Sequence, residues 1–210
     1  MVGKKILFWN VDTQEDFIDP GGKLYVKGAE TIRPILKAIT EFAKAGGIRV
    51  INTCDYHQIN AAEISTNPDF ITHFPPHCMA GTAGAHFITE TDPETPAVID
   101  WDSELAIISE FDDAVRFRNI VLRKDAFDVF AGNPQTEKIV QIINPDCVFV
   151  YGVTTNICVD KVVVGLSERG FKVYVLEDAI KELPNIPLPF GTWKSLGVEM
   201  IPFSDLRKYM

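Results

Sequence analysis

The chain has 210 residues, with 20 Lys+Arg against 29 Asp+Glu (20 − 29 = −9), 46% apolar and 23% charged residues. That composition excludes disordered, collagenous and low-complexity classes, and the acidic balance without a basic patch opposes nucleic acid or an anionic membrane as partner. The length predicts one domain over residues 1–210, large enough to build a core without disulfide or metal staples.

The apolar run Ile6-Leu7-Phe8-Trp9 is cut by Asn10 and Asp12, too short for a signal peptide, and Cys147 to Val153 falls far below the roughly 18 residues of a membrane span. With no export signal, the four cysteines read as reduced thiols and the expected location is the cytoplasm. Lys5 to Asp12 reads as a buried parallel strand ending in an acid. A helical stripe follows, with Ile32, Ile35, Leu36, Ile39, Phe42 and Ala43 on one face and Gly46-Gly47 as its stop. Ile48 to Thr53 and Ile120 to Arg123 are the next strands, then a helix from Thr136 to Ile143 and a strand from Cys147 to Tyr151. A helix from Ile157 to Glu168 and strands at Lys172 to Leu176 and Val198 to Ile201 complete the series. The alternation predicts a three-layer α/β/α fold around a six-stranded, mostly parallel sheet.

Two stretches break this rhythm. Cys54 to about Phe87 is irregular and rich in Pro, His and Gly, the pattern of a functional loop. Residues 88–118 carry nine Asp/Glu against two Arg and read as an acidic, solvated insertion with a local helix at 102–111, or as a lid.

Ligands of an open parallel sheet bind outside the carboxyl ends of its strands. That rule selects Asp12, Cys54-Asp55, Arg123-Lys124 and the loop Gly152-Val153-Thr154 leading to Cys158. Cys158 stands near a helix N-terminus, which favours a thiolate, with Asp12 to accept its proton and Lys124 to hold both anions. The alternatives stand beside this: Cys158 as a small apolar residue, Asp12 and Lys124 as a buried ion pair. Cys54 and Cys147 are assigned to packing. Asp55 and His57, two apart on an extended segment, share a side, and His77 after Phe74-Pro75-Pro76 offers a third ligand. Carboxylate and imidazole suit zinc, iron(II) or manganese, while plain hydrogen-bonded loop histidines satisfy the same spacing. His73 and His86 read as surface histidines. Gly81-Thr82-Ala83-Gly84 lacks the Lys of a phosphate loop and reads as a turn.

Taken in order, Val11-Asp12-Thr13-Gln14-Glu15-Asp16-Phe17, Asp55-Tyr56-His57, Phe74-Pro75-Pro76-His77-Cys78-Met79-Ala80-Gly81-Thr82-Ala83-Gly84-Ala85, Lys124 with Phe127 and Phe130, and Gly152-Val153-Thr154-Thr155-Asn156-Ile157-Cys158-Val159 resemble the isochorismatase-like cysteine hydrolases. Within them the nicotinamidase branch is the nearest, and the resemblance spans nearly the whole chain apart from the acidic insertion. It implies Cys158 as nucleophile, Asp12 as general base and Lys124 as third catalytic member. It also implies an oxyanion hole at the Thr154 and Cys158 amides, shaped by a cis peptide at Val153–Thr154. Phe17, Phe74 and Phe127 would pack on the substrate. A divalent metal, zinc foremost with iron or manganese as alternatives, would sit on Asp55, His57 and His77. The sequence departs from the pattern where relatives with a fourth protein ligand carry histidine: here stands Glu63, which ligates through oxygen or acts as a water-linked acid. Phe74 likewise replaces a frequent tryptophan. The implied reaction converts nicotinamide to nicotinate and ammonia through a thioester. Another small amide or carbamoyl compound is the alternative, then a non-catalytic binding member of the family. The resemblance allows a homo-oligomer.

Overall fold

The computed structural model describes residues 4–103 and 113–210. Seven strands form one sheet: β1 Ile6–Val11, β2 Arg49–Asp55, β3 Ala97–Ile99, β4 Asn119–Lys124, β5 Cys147–Val153, β6 Val173–Lys181 and β7 Glu199–Ile201. Their order is β3-β4-β2-β1-β5-β6-β7, and every pairing is parallel. From β1 the chain moves through β2 to the edge strand β3 and returns to set β4 between them, and from β5 it winds the other way through β6 to β7. The order therefore reverses between β1 and β5, and a reversal of this kind opens a crevice at the carboxyl ends of the two strands. Asp12 and Thr154 are the first residues beyond those ends.

The helices are α1 Glu15–Ile18, α2 Arg33–Ala45, α3 Val129–Gly132, α4 Thr136–Ile143, α5 Cys158–Glu168 and α6 Phe190–Ser195. Strand side chains alternate between two cores. Leu7, Trp9, Val148 and Val150 pack with Ile139 and Val140 of α4 and Val159, Val162 and Val163 of α5. Phe8, Phe149, Tyr151 and Tyr174 pack on the other face with Leu36, Ile39 and Ala43 of α2. The Phe8 ring meets Phe149 edge-on at 5.7 Å and Tyr151 at 6.2 Å, and burying a ring of this size contributes roughly 1.5–3 kcal/mol. Gly152 lets β5 lie close on β1, since a Cβ there would stand 2.0 Å from the Val11 carbonyl oxygen. All four cysteines are free and buried. Among the described residues no helix is long and apolar enough to cross a membrane.

The α/β class and parallel sheet agree with the sequence pattern, but the strand count does not: among the described residues the sheet has seven strands, not six. The seventh is β3, inside the stretch read as a solvated insertion, where it pairs with β4 as an edge strand. Three residues are too few to show a period, and their acidic surroundings hid them. The start of the same stretch also joins the core, for Ile88 is fully buried and donates its amide to the Thr13 carbonyl. β6 runs past Leu176 because a register shift carries the exposed Glu177-Asp178 pair out of the ladder. The expected helix at 102–111 falls, apart from its first two positions, outside the described residues.

Candidate active site

Asp12 leaves β1 with φ of +48°, a left-handed conformation that few residues with a side chain adopt. Thr53 anchors it twice, its carbonyl accepting from the Asp12 amide at 3.1 Å and its hydroxyl donating to Asp12 Oδ1 at 2.8 Å. Lys124 ends β4 opposite Asp55, which ends β2. Its Nζ lies 3.0 Å from Asp12 Oδ2, pairs with Asp55 Oδ1, and stands 3.9 Å from Cys158 Sγ. Asp12 and Lys124 are completely buried. Cys158 is the first residue of α5, and its Sγ lies with an oxygen of Asp12 and of Asp55 in a group whose atoms are all within 4.8 Å of one another.

Burial decides the protonation of this group. It pushes the Asp12 carboxyl up, only partly countered by Lys124. It works against the Lys124 charge too, but Asp12 and Asp55 outweigh it and hold the ammonium well above its usual range. The Cys158 thiol is pushed well above the ordinary cysteine range, first by burial and then by Asp12 and Asp55, against the pull of Lys124. Sequence alone pointed to a thiol lowered by the helix end. A helix terminus contributes about 0.3–1 kcal/mol, less than one pKa unit, and full desolvation exceeds it. The Cys158 thiol thus lies beside a carboxyl group whose basicity burial raises.

Between β5 and α5 the peptide Val153–Thr154 is cis. Thr155 donates its amide to the Lys181 carbonyl, and Val159 donates to Thr154, but among the described residues the Thr154 and Cys158 amides have no acceptor. Thr154 and Cys158 both line the pocket described below.

The second group lies on the loop side. His57 Nε2 is 3.7 Å from Asp55 Oδ2 and 3.1 Å from Glu63 Oε1, and His77 Nε2 is 3.6 Å from Asp55 Oδ2. Donor atoms of Asp55, His57 and His77 all fall within 4.8 Å of one another, a group to which Glu63 does not belong. Glu63 stands at its edge, held by the Phe127 amide donating to Oε2 at 3.0 Å. His57 Nε2 and Glu63 Oε1 are buried yet make no hydrogen bond despite their proximity. Burial opposes a charge on His57, but Asp55 and then Glu63 overcome it and push the imidazole up to about 10. Burial likewise pushes Asp55 up, and Lys124 followed by His57 outweighs it, keeping the carboxyl well below its usual range. A bound cation would displace the proton that His57 otherwise holds, and three buried carboxyl groups, Asp12, Asp55 and Glu63, would then face one ammonium, Lys124. Orphaned buried donors, oxygen and nitrogen chemistry, and this excess of carboxyl groups fit a divalent cation.

A small pocket joins the groups, lined by Asp55, Glu63, His77, Thr154 and Cys158 among apolar walls. Phe17, Phe74 and Phe127 are all in that wall, and Asp12, Lys124 and His57 lie against its lining residues Cys158, Asp55 and Glu63. Phe17 and Phe74 flank His77 at 5.3 and 6.2 Å between ring centroids. His73 and His86 are exposed, away from the cluster. The turn at Gly81 to Gly84 serves packing: a Cβ on Gly84 would stand 2.2 Å from the Asp16 carboxylate.

Sequence reasoning missed Leu24, Ile157 and Leu183 in the wall. It missed Asn156, whose side chain pins the Leu183 loop through three hydrogen bonds of 2.9–3.0 Å. It also missed Asp125, whose Oδ1 lies 3.0 Å from His57 Nδ1. Asp125 was visible beside Lys124, but a charged residue after a strand is ordinarily a solvated one.

A family description, Isochorismatase domain, matches residues 6–185. The chain belongs to the isochorismatase family of hydrolases. It is 35% identical over 82 residues to the nicotinamidase/pyrazinamidase of Mycobacterium tuberculosis (strain ATCC 25618 / H37Rv), a match covering 39% of this chain and only 43% of that relative. Among solved structures it is similar to the pyrazinamidase of Pyrococcus horikoshii in complex with zinc, with TM-score 0.72 and 25% identity over 95% of this chain and 99% of that one. It is also similar to a protein of L. infantum in complex with nicotinate, with TM-score 0.69 and 25% identity over 96% and 94% of the two chains.

Proposed function

We propose that this hydrolase cleaves the amide C–N bond of nicotinamide, releasing nicotinate and ammonia through a thioester on Cys158. One observation carries the reading: the Cys158 thiol and the carboxylate–imidazole cluster face the same small, aromatic-walled pocket, with the Asp12–Lys124–Asp55 ion cluster directly beneath. The zinc complex and the nicotinate complex of the two structural relatives support it, as does the curated relative's name.

In this mechanism Asp12, its basicity raised by burial, takes the thiol proton as Cys158 sulfur attacks the carbonyl carbon. Lys124 keeps its charge throughout and offsets the negative charge that collects on Asp12 and the sulfur. The carbonyl oxygen, now an oxyanion, receives the free Thr154 and Cys158 amides. The C–N bond breaks as Asp12 returns its proton to nitrogen, and ammonia departs. Water, deprotonated by Asp12, attacks the thioester carbon. The C–S bond then breaks, the proton passes back to sulfur, and the acid leaves. A divalent metal on Asp55, His57, Glu63 and His77, zinc foremost, would supply the positive charge that draws the ring nitrogen and orients the amide. Phe17, Phe74 and Phe127 hold the ring by dispersion and exclude water.

The test is ammonia release from nicotinamide by metal-analysed protein, with Cys158→Ala alongside. Release that vanishes in the variant is the expected result. No release from folded, metal-loaded protein rejects nicotinamide and turns the search to other amides and carbamoyl compounds.

A further inference from the structure

The two imidazoles of the cluster are backed by different groups. His77 Nδ1 lies 2.8 Å from the Pro75 carbonyl oxygen, a neutral acceptor. His57 Nδ1 lies 3.0 Å from Asp125 Oδ1, a carboxylate. Both partners only accept, so in each neutral ring the hydrogen sits on Nδ1 and the Nε2 lone pair is free. For His57 that lone pair is directed toward Glu63 and Asp55, where it finds no donor.

Asp125 owes its place to the strand. Lys124 and Asp125 are consecutive at the exit of β4: one reaches the Asp12–Asp55 pair, and the other reaches the rear of His57. The Asp125 amide is anchored on the Gly132 carbonyl at 3.3 Å. His57 is fully buried, and Asp125 is the group that faces its Nδ1. The Asp125 side chain itself is 22% exposed, so its charge remains partly hydrated and needs no buried counter-ion.

We propose that Asp125 is a positioning residue for the cation site: its carboxylate locks His57 in the Nδ1–H tautomer and strengthens Nε2 as a ligand. The proposal rests on the metal-dependent reading above and gives Asp125 a role that a solvated strand-end acid would not have. A carboxylate behind a ligating imidazole fixes the ring and raises its basicity, and loss of such a partner typically lowers metal affinity about 10–100-fold.

The experiment measures zinc, manganese and iron(II) affinity separately, by chelator competition on the full chain, for wild type and Asp125→Asn. Nitrogen-detected imidazole spectra of the metal-saturated proteins report the His57 tautomer, and urea unfolding of the metal-free proteins reports the fold. The expected result is affinity lowered about 10–100-fold, a displaced His57 Nδ1–H resonance and coincident unfolding curves. Should Asp125→Asn not fold, Asp125→Ser is measured in the same way. Affinity within twofold of wild type with an unmoved resonance overturns the role of Asp125 and leaves the metal reading in place. A wild-type protein that binds none of the three ions overturns both.

Discussion

The two halves of the pocket are built by different means. Asp12 and Lys124 come straight from strand ends, and Cys158 opens α5, so their spacing follows from the strand separation of about 4.8 Å and the ladder register. On the other side only Asp55 comes from a strand. His57, Glu63 and His77 lie on the irregular segment after β2, which is shaped by scattered bonds. The Glu63 carbonyl accepts from Phe74 at 2.7 Å, Asp16 accepts from the Cys78 amide at 2.7 Å, and the Gln14 side chain ties Asp55 to Ala85. The Cys158 half, the proposed nucleophile side, inherits its precision from the sheet, whereas the histidine half, the proposed cation side, needs a set of buried side chains to fix a loop. Asp55 belongs to both, one oxygen on Lys124 and the other facing His57 and His77.

If the halves are separable, substitutions should divide them. Cys158→Ala should lower nicotinamide turnover by on the order of 10⁴–10⁶-fold while metal content stays at wild-type level. Metal loss in that variant would break the division. Lys124→Met removes the one ammonium between two buried carboxylates, and unfolding stability in urea should fall by about 3–5 kcal/mol. A change below about 1 kcal/mol would mean that Asp12 is already protonated in the resting protein. Glu63→Ala should weaken metal binding at least about tenfold with the Cys158 environment intact. Full occupancy and unchanged affinity in a chelator titration would remove Glu63 from the ligand set.

The same division explains what the sequence made legible. Strand-end residues were readable because an apolar run that stops at Asp12 or Lys124 announces both the strand and its exit. The loop residues His57 and His77 were readable only as a spacing, and Glu63 only through the family pattern. Asn156 and Asp125 escaped because their roles depend on partners far along the chain, Leu183 and His57 respectively. β3 escaped for a different reason: its three residues make no pattern, and pairing with β4 alone makes them a strand.

The smallest expected effect tests the electrostatics of the nucleophile half alone. An ordinary cysteine with a pKa near 8.5 is alkylated at a rate that rises with pH and levels off above that value. In Cys158 burial, with Asp12 and Asp55 behind it, pushes the thiol well above the cysteine range, so the thiol form persists at neutral pH. Below a pKa the thiolate fraction rises about tenfold per pH unit, so the sign is fixed. Iodoacetamide labelling of Cys158 in metal-free protein, followed by peptide mass, should keep climbing past pH 9 without a plateau. Cys54 and Cys78, whose thiols are also pushed up by burial, should climb with it and not react first. A plateau near pH 7 would mean that Lys124 and the α5 terminus outweigh desolvation. The resting enzyme would then hold a thiolate–ammonium pair, and Asp12 would have no proton to take from Cys158.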